Sequence, residues 1–297
     1  ANTTGHGIIG KHNLSKHNLT FRETSVLLNS RLKLDGSMNL MRQVVKNKPT
    51  VGGFYMNPLV GLYRFPRGED IAYYKENFEV YDEGRNLNIQ NWHTSYEDFE
   101  QNPYWITNRI LSKENRMHVI VSLSANLKIN DWLSLQTRGN VDYINDKVRQ
   151  QFYASTAPAL AGANGRYIEM DYQETQYYGD AILMMKKQWD AFSLNAALGA
   201  SINDKTVNST RYDSKTASLK YANVFNLANI IMNGSAGLDQ KIDARRQLQS
   251  LFATAQLGYN EFVYLDLSAR NDWSSTLAYT SHEKSGFFYP SVGFSLI

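Results

Sequence analysis

The 297-residue sequence contains no cysteine. Disulfide frameworks, thiolate zinc sites and cysteine nucleophiles are therefore excluded together. Long apolar runs are missing as well, since the longest uninterrupted one covers only residues 181–185. A membrane-spanning helix needs about 18 consecutive apolar residues. The sequence thus excludes an α-helical membrane protein, whereas a membrane β-barrel passes this test because its strands alternate between apolar and polar residues.

An excess of charge of one sign is also missing. The chain has 31 Lys and Arg against 28 Asp and Glu, a net charge of +3, and no dense basic stretch. A protein that follows a phosphate backbone needs such a stretch, so we predict no nucleic-acid partner. The hydrophobic fraction of 42% is sufficient for a folded core, so intrinsic disorder is not expected.

Catalytic and ligand-binding motifs are missing too. Residues 7–11 lack the spacing of a phosphate-binding loop, and no GxSxG segment occurs. Six histidines have neither an HExxH arrangement nor metal-like spacing to carboxylates, and each is expected to be a solvated loop residue: His6, His12, His17, His93, His118 and His282. We predict no enzymatic activity, no catalytic residue, no cofactor and no metal.

What the sequence does contain is alternation with a period of two residues. In residues 117–127 every second position is apolar, namely Met117, Val119, Val121, Leu123, Ala125 and Leu127. Similar alternation covers 133–143, 192–203, 263–270 and the last residues of the chain, and further strands are expected at about 18–28, 32–45, 175–187 and 248–259. The pattern predicts an all-β fold of about nine strands.

The alternation also assigns side chains to faces. Leu198 and Asn195 are an odd number of residues apart on one predicted strand, so they point to opposite faces of the sheet. Leu198 belongs to the apolar series and is predicted to face lipid. Asn195 belongs to the polar series and is predicted to face a lumen.

Short and long connections alternate along the chain. Tight turns are expected near 29–31, 130–131, 188–190 and 260–261, and long polar loops at about 46–115, 147–174, 204–246 and 271–286. Short periplasmic turns and long extracellular loops are typical of a large antiparallel outer-membrane β-barrel. The alternative, a soluble carbohydrate-binding β-sandwich, would have connections of similar length. A β-rich glycosidase, the remoter alternative, would need two converging carboxylates.

Three of the tight turns carry an aromatic residue beside them: Trp132, Trp189 and Phe262. Amphipathic rings at such positions form the girdle of a membrane barrel at the membrane interface. The same residues could instead cap an apolar core. Their recurrence at one end of the predicted strands favours the girdle.

The first long loop combines aromatic and acidic residues. Aromatic faces stack on sugar rings and carboxylates accept hydrogen bonds from hydroxyl groups, so this combination suits a substrate-contacting surface. Long ordered loops also use aromatic residues for their own packing. The candidate substrate-contact residues are Tyr73, Tyr74, Tyr81, Trp92, Tyr96, Tyr104 and Trp105.

Several segments resemble one protein family over essentially the whole chain and in the same order. They are NPLV at 57–60, LYRFPRGED at 62–70, QNPYWITNR at 101–109, YAS at 153–155, RNDWSSTL at 270–277 and GFFYPSVG at 286–293. On these segments the chain resembles the SusC/RagA family of TonB-dependent outer-membrane transporters of Bacteroidetes.

The resemblance implies a function and partners. It implies the early region of a 22-stranded barrel, a size known for outer-membrane transporters, in the outer membrane of a Gram-negative bacterium. It further implies import of large nutrients, usually oligosaccharides and sometimes peptides, together with a SusD-like surface lipoprotein and with energy from TonB, ExbB and ExbD. The resemblance adds outer-membrane lipid as the surroundings of the barrel wall.

The two ends of the sequence carry an expectation of their own. Residues 1–10 lack a targeting signal, and the alternation continues to the last residues. We therefore expect residues 1–297 to form a single partial barrel domain, a fragment without the plug and the N-terminal extension of the family.

Overall fold

The computed structural model describes residues 1–48, 50, 55–94, 100–215, 219–232 and 237–297. It contains twelve strands and three short α-helices. Their bounds, in chain order, are β1 Asn2–His6, β2 Asn13–Leu27, β3 Leu32–Lys46, α1 Pro58–Arg64, α2 Ile71–Glu76, β4 Glu79–Asp82, β5 Leu87–Gln90, α3 Pro103–Arg109, β6 Ile110–Lys128, β7 Leu133–Phe152, β8 Arg166–Trp189, β9 Phe192–Asp213, β10 Gly237–Tyr259, β11 Val263–Ser274 and β12 Phe287–Leu296.

Ten of these strands form one antiparallel sheet in the order β1-β2-β3-β6-β7-β8-β9-β10-β11-β12, and β4 pairs with β5 in a separate hairpin. The predicted all-β, antiparallel fold is confirmed. The sequence analysis missed β1, because its residues NTTGH include no apolar side chain that could show alternation. No helix of the described residues is long and apolar enough to cross a membrane.

The predicted tight turns are confirmed. Strands β2 and β3, β6 and β7, β8 and β9, and β10 and β11 are each joined by only two to four residues. Several turn residues have positive φ angles, among them Asn29 at 50°, Asp190 at 47° and Asn260 at 51°. Asn and Asp adopt this left-handed conformation more readily than other residues with a side chain, which is why these residues close the turns.

The long connections are shorter than the sequence analysis predicted. The predicted loops at about 147–174 and 204–246 are in large part strand, because β7 ends only at Phe152, β8 begins at Arg166, β9 continues to Asp213 and β10 begins at Gly237. These strand extensions do not alternate between an apolar and a polar face: most of their residues are polar, and the buried Tyr167 and Ile168 are adjacent on β8 and therefore lie on opposite faces. Without a period of two residues, the sequence pattern could not reveal them.

The register produces one apolar face. Through successive antiparallel pairs a single row of side chains crosses nine strands, from Leu27 on β2 to Pro290 on β12. The row consists of Leu27, Leu32, Leu127, Leu135, Leu183, Leu198, Ala253, Ala269 and Pro290. Leu198 is 54% exposed within this row, so the apolar side chain has no covering layer among the described residues.

The opposite face is polar. A row three residues from Leu198 along β9 consists of Thr24, Asp35, Ser124, Arg138, Asp180, Ser201, Ser250 and Asp272. Asp180 and Arg138 are neighbours in this row and form an ion pair with an N···O distance of 2.6 Å. The predicted placement of Leu198 and Asn195 on opposite faces is confirmed by their odd separation within one uninterrupted strand.

The apolar series slants across the hydrogen-bonded rows. It occupies residues 117–127 on β6 and residues 192–202 on β9. Leu127 and Leu198 share one row, yet Leu127 is the last residue of its series and Leu198 is the fourth of its own. Measured from this shared row, the series on β9 therefore extends six residues, from 198 back to 192, further toward the short-turn end of the sheet than the series on β6 does. Barrel strands tilted by about 35–45° cross a level membrane with this kind of shift.

The length of the apolar series on β9 matches the height of the apolar band of an outer-membrane barrel. Ten residue steps, from 192 to 202, extend about 34 Å along a strand, which is about 25 Å of height at a tilt of about 40°. The apolar band of outer-membrane barrels is about 25 Å tall. On β2 the series is interrupted by Ser25 and Glu23.

The buried core lies at the long-loop end of the sheet. Tyr167 and Ile168 are consecutive on β8 and therefore point to opposite faces, and each belongs to a different hydrophobic cluster. Ile168 packs with Phe152 and Ala161, whereas Tyr167 packs with Leu219 and Ile230. Long connections thus cover the sheet on both faces beyond the apolar series.

A pair of arginine substitutions tests the two faces. In the full-length barrel, Leu198→Arg places a cation on the apolar face near the middle of its series and is expected to lower the free energy of unfolding by about 2–4 kcal/mol. Asn195→Arg stays among polar neighbours and is expected to cost little. Chemical unfolding in liposomes measures both values. A cost for Asn195→Arg equal to or larger than that for Leu198→Arg would contradict the assignment of the faces.

Two glycines test how Phe252 packs: Gly199 lies beneath it on the polar face, and Gly139 is an open position on the apolar face. A methyl group at Gly199 would overlap the ring of Phe252, whereas one at Gly139 meets no atom within 4 Å. Gly199→Ala is therefore expected to lower the free energy of unfolding by about 1–3 kcal/mol, the range for overpacking. Gly139→Ala, the matched control, is expected to be neutral or slightly stabilising. The same unfolding measurement applies, and equal effects of the two substitutions would show that Phe252 does not rest on Gly199.

Candidate functional site

Three short helices organise the connection between β3 and β6. Each begins after an Asn or Asp whose side chain accepts a hydrogen bond from a backbone N–H of the first turn: Asn57 from Leu59, Asp70 from Ala72 and Asn102 from Tyr104, at 3.0, 2.8 and 2.8 Å. Proline follows Asn57 and Asn102 at the first helical position, where no N–H is needed. The NP pairs of the quoted segments are therefore helix starts.

Helix α1 lies directly against the start of α3. A Cβ atom at Gly61 would lie 2.6 Å from the carbonyl oxygen of Gln101 and 3.3 Å from the Cδ atom of Pro103. Only glycine permits this approach of the two backbones. Segments 57–64 and 101–109 are thereby fixed to each other.

Gln101 connects the first long connection to the second. Its side chain is fully buried. Its Oε1 atom accepts a hydrogen bond from the backbone N–H of Ala157 at 2.8 Å, and its Nε2 atom donates to the carbonyl oxygen of Tyr55 at 2.5 Å. Buried amides that satisfy backbone groups in this way hold two loops together without secondary structure.

Asn102 performs the same role within the first connection. It too is fully buried, and its Nδ2 atom donates to the carbonyl oxygens of Tyr74 and Asn91 at 3.0 and 2.8 Å. Its backbone N–H donates to Oε1 of Gln90 at 2.7 Å. Together with its capping bond, these contacts join α2, β5 and α3.

Two further side chains complete the junction between the connections. The indole N–H of Trp105, which is 1% exposed, donates to Oγ1 of Thr156 at 3.1 Å. The guanidinium group of Arg109 forms two hydrogen bonds with Glu79 at 2.6 and 2.8 Å and lies 5.1 Å from the ring centroid of Tyr153. We call the unit formed by residues 55–94, 100–109 and 153–165 the loop platform.

An aromatic cluster fills the interior of the loop platform. The rings of Phe65, Tyr74, Trp92 and His93 lie with centroids 4.7–6.4 Å apart. The hydroxyl of Tyr74 donates to Glu69 at 2.9 Å. Burial of this hydroxyl, and then its hydrogen bond to the carboxylate, raise the pKa of Tyr74 above its ordinary value.

The expectation that all six histidines are solvated loop residues is wrong for His6, His17 and His118, which lie on β1, β2 and β6. It is also wrong for His93, whose side chain is only 8% exposed. Its Nε2 atom lies 3.1 Å from the carboxylate of Glu100, which is 3% exposed and also lies 3.3 Å from Nε of Arg64. A buried carboxylate loses its hydration, and nearby positive or hydrogen-bonding groups are needed to offset that cost. Sequence reasoning missed this group, because His93 and Glu100 are seven positions apart and belong to no recognisable motif.

The candidate substrate-contact residues divide by exposure. Tyr73 and Tyr81 are 51% and 60% exposed on the loop platform, and Tyr74 and Tyr104 are partly buried. Trp92 and Trp105 are buried and pack within the platform, and Tyr96 lies outside the described residues. Substrate contact stays a prediction, and the two exposed tyrosines are its strongest candidates, because only a side chain with free surface can stack on a ligand.

The candidate girdle residues lie at the short-turn end. Trp132, Trp189 and Phe262 are 38%, 42% and 55% exposed. Two residues that the sequence analysis did not name extend this group, since the ring centroid of Phe192 lies 6.3 Å from that of Trp189 and 5.0 Å from that of Tyr259. Trp132 also lines a cavity of about 870 Å³ on the polar face. Their role at a membrane interface stays a prediction.

A second group of exposed aromatic residues lies at the other edge of the apolar series. Tyr177 on β8 and Trp273 on β11 are 56% and 41% exposed and share a face with Leu183 and Ala269. Two aromatic levels bounding one apolar band are typical of membrane barrels. Its members lie far apart in sequence, and the register of the strands brings them to one edge of the apolar series.

Metal ligands do not come together in the part of the chain that the structure describes, where no group of three or more His, Asp or Glu side chains is arranged to hold an ion. The chemistry of the loop platform is that of amide, hydroxyl, carboxylate and aromatic groups, which can bind polar ligands.

No protein-family model matches the sequence, and no curated protein does either. Solved structures do match. A structure of the RagAB peptide transporter aligns with 95% of this chain at a TM-score of 0.69 and 16% identity, and the RagAB peptide importer in the closed-closed state aligns with 99% at 0.64 and 18% identity. FpvA of P. aeruginosa, bound to heterologous pyoverdines, aligns with 100% at 0.60 and 13% identity.

The matched region is a fraction of each of these proteins. This chain spans 30%, 31% and 35% of their chains, respectively. The similarity extends over the ten-stranded sheet together with its connections. The chain therefore has the fold of a part of an outer-membrane β-barrel.

Proposed function

We propose that this chain is a wall segment of a TonB-dependent outer-membrane importer of large nutrients, without enzymatic activity and located in the outer membrane of a Gram-negative bacterium. The observation that carries the proposal is the two-faced sheet, whose apolar series has the height of a membrane and slants as barrel strands do. The fold shared with RagAB and FpvA supports it. Energy would come from TonB, ExbB and ExbD, as the SusC/RagA resemblance implies.

The proposed substrates are oligosaccharides or peptides. Exposed tyrosines such as Tyr73 and Tyr81 can stack on sugar rings and on peptide side chains alike. The SusC/RagA resemblance favours oligosaccharides, whereas the RagAB structures are those of a peptide transporter. Uptake by cells that carry or lack the full-length protein, measured with labelled oligosaccharides and labelled peptides, distinguishes the two classes.

A SusD-like surface lipoprotein is the proposed partner. Helix α1 of the loop platform exposes Leu59, Leu62 and Tyr63, which are 39%, 47% and 84% exposed. Adjacent exposed apolar side chains on an outer loop suit a protein contact. Copurification of a lipoprotein with the full-length protein tests this part of the proposal.

The soluble β-sandwich is the second candidate that the sequence left open. A sandwich buries its apolar face against a second sheet. Among the described residues the apolar face meets no second sheet, since all large strands belong to one sheet and the β4–β5 hairpin lies in the loop platform. This observation favours the membrane segment.

Cysteine labelling tests the proposed orientation. Glu83 lies at the exposed tip of the β4–β5 hairpin, and Asn260 lies in the short turn between β10 and β11. In whole cells an impermeant maleimide is expected to label Glu83→Cys in the full-length protein and to leave Asn260→Cys unlabelled. Permeabilised cells, in which both positions react, are the control. Equal labelling of the two positions in intact cells would contradict the proposed orientation.

Removal of the exposed rings tests the substrate-contact prediction. Tyr73→Ala and Tyr81→Ala are each expected to raise the substrate concentration for half-maximal uptake about 2- to 10-fold, the effect of losing one aromatic contact. Tyr279→Ala, at a 99% exposed tyrosine between β11 and β12, is the matched control and is expected to leave uptake unchanged. Wild-type uptake by both platform variants would eliminate these tyrosines as contacts.

A further inference from the structure

Five exposed cations cluster on the apolar face of the sheet, just beyond the apolar series toward the long connections. We call Arg42, Lys46, Lys113, Lys147 and Arg149 the basic patch. All five occupy the same face as Leu127 and Leu135, because each lies an even number of residues from its strand's member of the leucine row.

The register brings like charges directly opposite each other. Lys46 on β3 is paired with Lys113 on β6, and Lys113 is paired in turn with Arg149 on β7. Neighbouring strands are about 4.8 Å apart. Like charges directly opposite on one face destabilise a sheet, so this row needs an anion to offset the repulsion.

The chain supplies only part of that anionic charge. Lys147 lies 3.6 Å from Asp171, and Arg149 lies 3.1 Å from Glu169. Arg42, Lys46 and Lys113 form no ion pair with a carboxylate of the described residues, whereas most other cations of the neighbouring strands do. Three of the five cations of the basic patch therefore have no carboxylate partner among the described residues.

The height of the basic patch is that of lipid headgroups. Arg42 is paired with Met117, the residue of the β6 series farthest from the short turns. Lys113 lies four residues further along β6, about 13 Å along the strand and about 10 Å in height at a tilt of about 40°. Long Lys and Arg side chains at this level reach the charged layer of a membrane.

We infer that the basic patch binds the phosphate groups of an anionic lipid in the outer leaflet. The acyl chains would lie on the apolar series directly below, where Met117, Val121 and Leu123 are 47%, 42% and 61% exposed. A phosphate in the row of Lys46, Lys113 and Arg149 offsets the repulsion that the register creates. This inference rests on the proposed outer-membrane location.

The basic patch lies directly beside exposed apolar side chains, and this arrangement favours a lipid over a free anion as the ligand. An inorganic phosphate would use the cations alone. A lipid with a phosphorylated headgroup uses the cations and the exposed side chains of β6 together. The predicted occupant is therefore an amphiphile, with a preference over a neutral lipid of the same acyl chains.

Lipid binding by matched variants tests the inference. The full-length protein is purified in a neutral detergent and titrated with fluorescent lipid A, which carries phosphate groups. The triple variant Arg42→Gln, Lys46→Gln, Lys113→Gln is expected to bind at least about tenfold more weakly, since each surface cation contributes separately to the affinity for anionic lipid. The wild-type protein is expected to lose affinity with rising salt concentration, because headgroup contacts are screened.

The control is a triple variant with the same change of charge on the polar face, Lys16→Gln, Lys241→Gln, Arg246→Gln. These cations also form no ion pair with a carboxylate of the described residues, and their register partners place them on the opposite face. The control variant is expected to bind lipid A as the wild-type protein does. An equal loss of affinity in both triple variants would overturn the inference, because net charge alone would then explain the binding.

Two further binding measurements, one with a second lipid and one with inorganic phosphate, identify the ligand. Dephosphorylated lipid A, which keeps the acyl chains and lacks the phosphate groups, is expected to bind more weakly than lipid A, and equal binding would show that the apolar surface alone holds lipid. Inorganic phosphate at the same phosphate concentration is expected not to displace lipid A, and full displacement would show a site for soluble anions instead. Either result overturns the inference.

A separate readout keeps the importer proposal apart from this test. Heat-modifiable migration in electrophoresis reports whether the full-length barrel has formed. If the patch variant forms the barrel and still binds lipid A like the wild-type protein, the basic patch is not a lipid site and the importer proposal stands. If neither the wild-type protein nor any variant forms a barrel, the proposed function is contradicted, and the lipid inference that rests on it is contradicted with it.

Discussion

Every backbone N–H and C=O group that enters a hydrocarbon layer must be paired within the protein, because lipid offers no hydrogen-bond partner. The large sheet meets this constraint through long antiparallel ladders, such as the pairing of β6 with β7 from Ile110 to Lys128. The pairing of β10 with β9 shifts register between Lys241 and Ala244, well beyond the apolar series. Because the ladders are continuous there, alternate residues keep one face, and the leucine row and the polar row both follow from this pairing.

Outside the apolar band the constraint changes, because loops also have backbone groups to satisfy but lack a ladder. Side-chain amides take over that role in the loop platform, where Gln90, Gln101 and Asn102 bond to backbone groups of distant segments. The N–H of Gln90 itself donates to Oγ of Ser155. Buried amides therefore position the exposed tyrosines Tyr73 and Tyr81.

Sequence reasoning reached the features that depend on local pattern. Strands inside the apolar band, the tight turns and the opposite faces of Leu198 and Asn195 follow from a period of two. The strand extensions beyond the apolar band, such as Arg166 to Glu174, bury side chains on both faces and therefore show no period of two. The burial of His93 and Trp105 depends on contacts between segments far apart in sequence, which composition and spacing do not encode.

The bridge from Trp105 and Gln101 to residues 156 and 157 has a consequence for the order of assembly. More than fifty residues separate the two sides, and the β6–β7 hairpin lies between them. The first long connection cannot complete its buried hydrogen bonds before that hairpin has closed and the second connection is in place. The helices can be capped earlier, because their capping bonds are local. The exposed surface of the loop platform takes its final shape only after the β6–β7 hairpin of the barrel wall has formed.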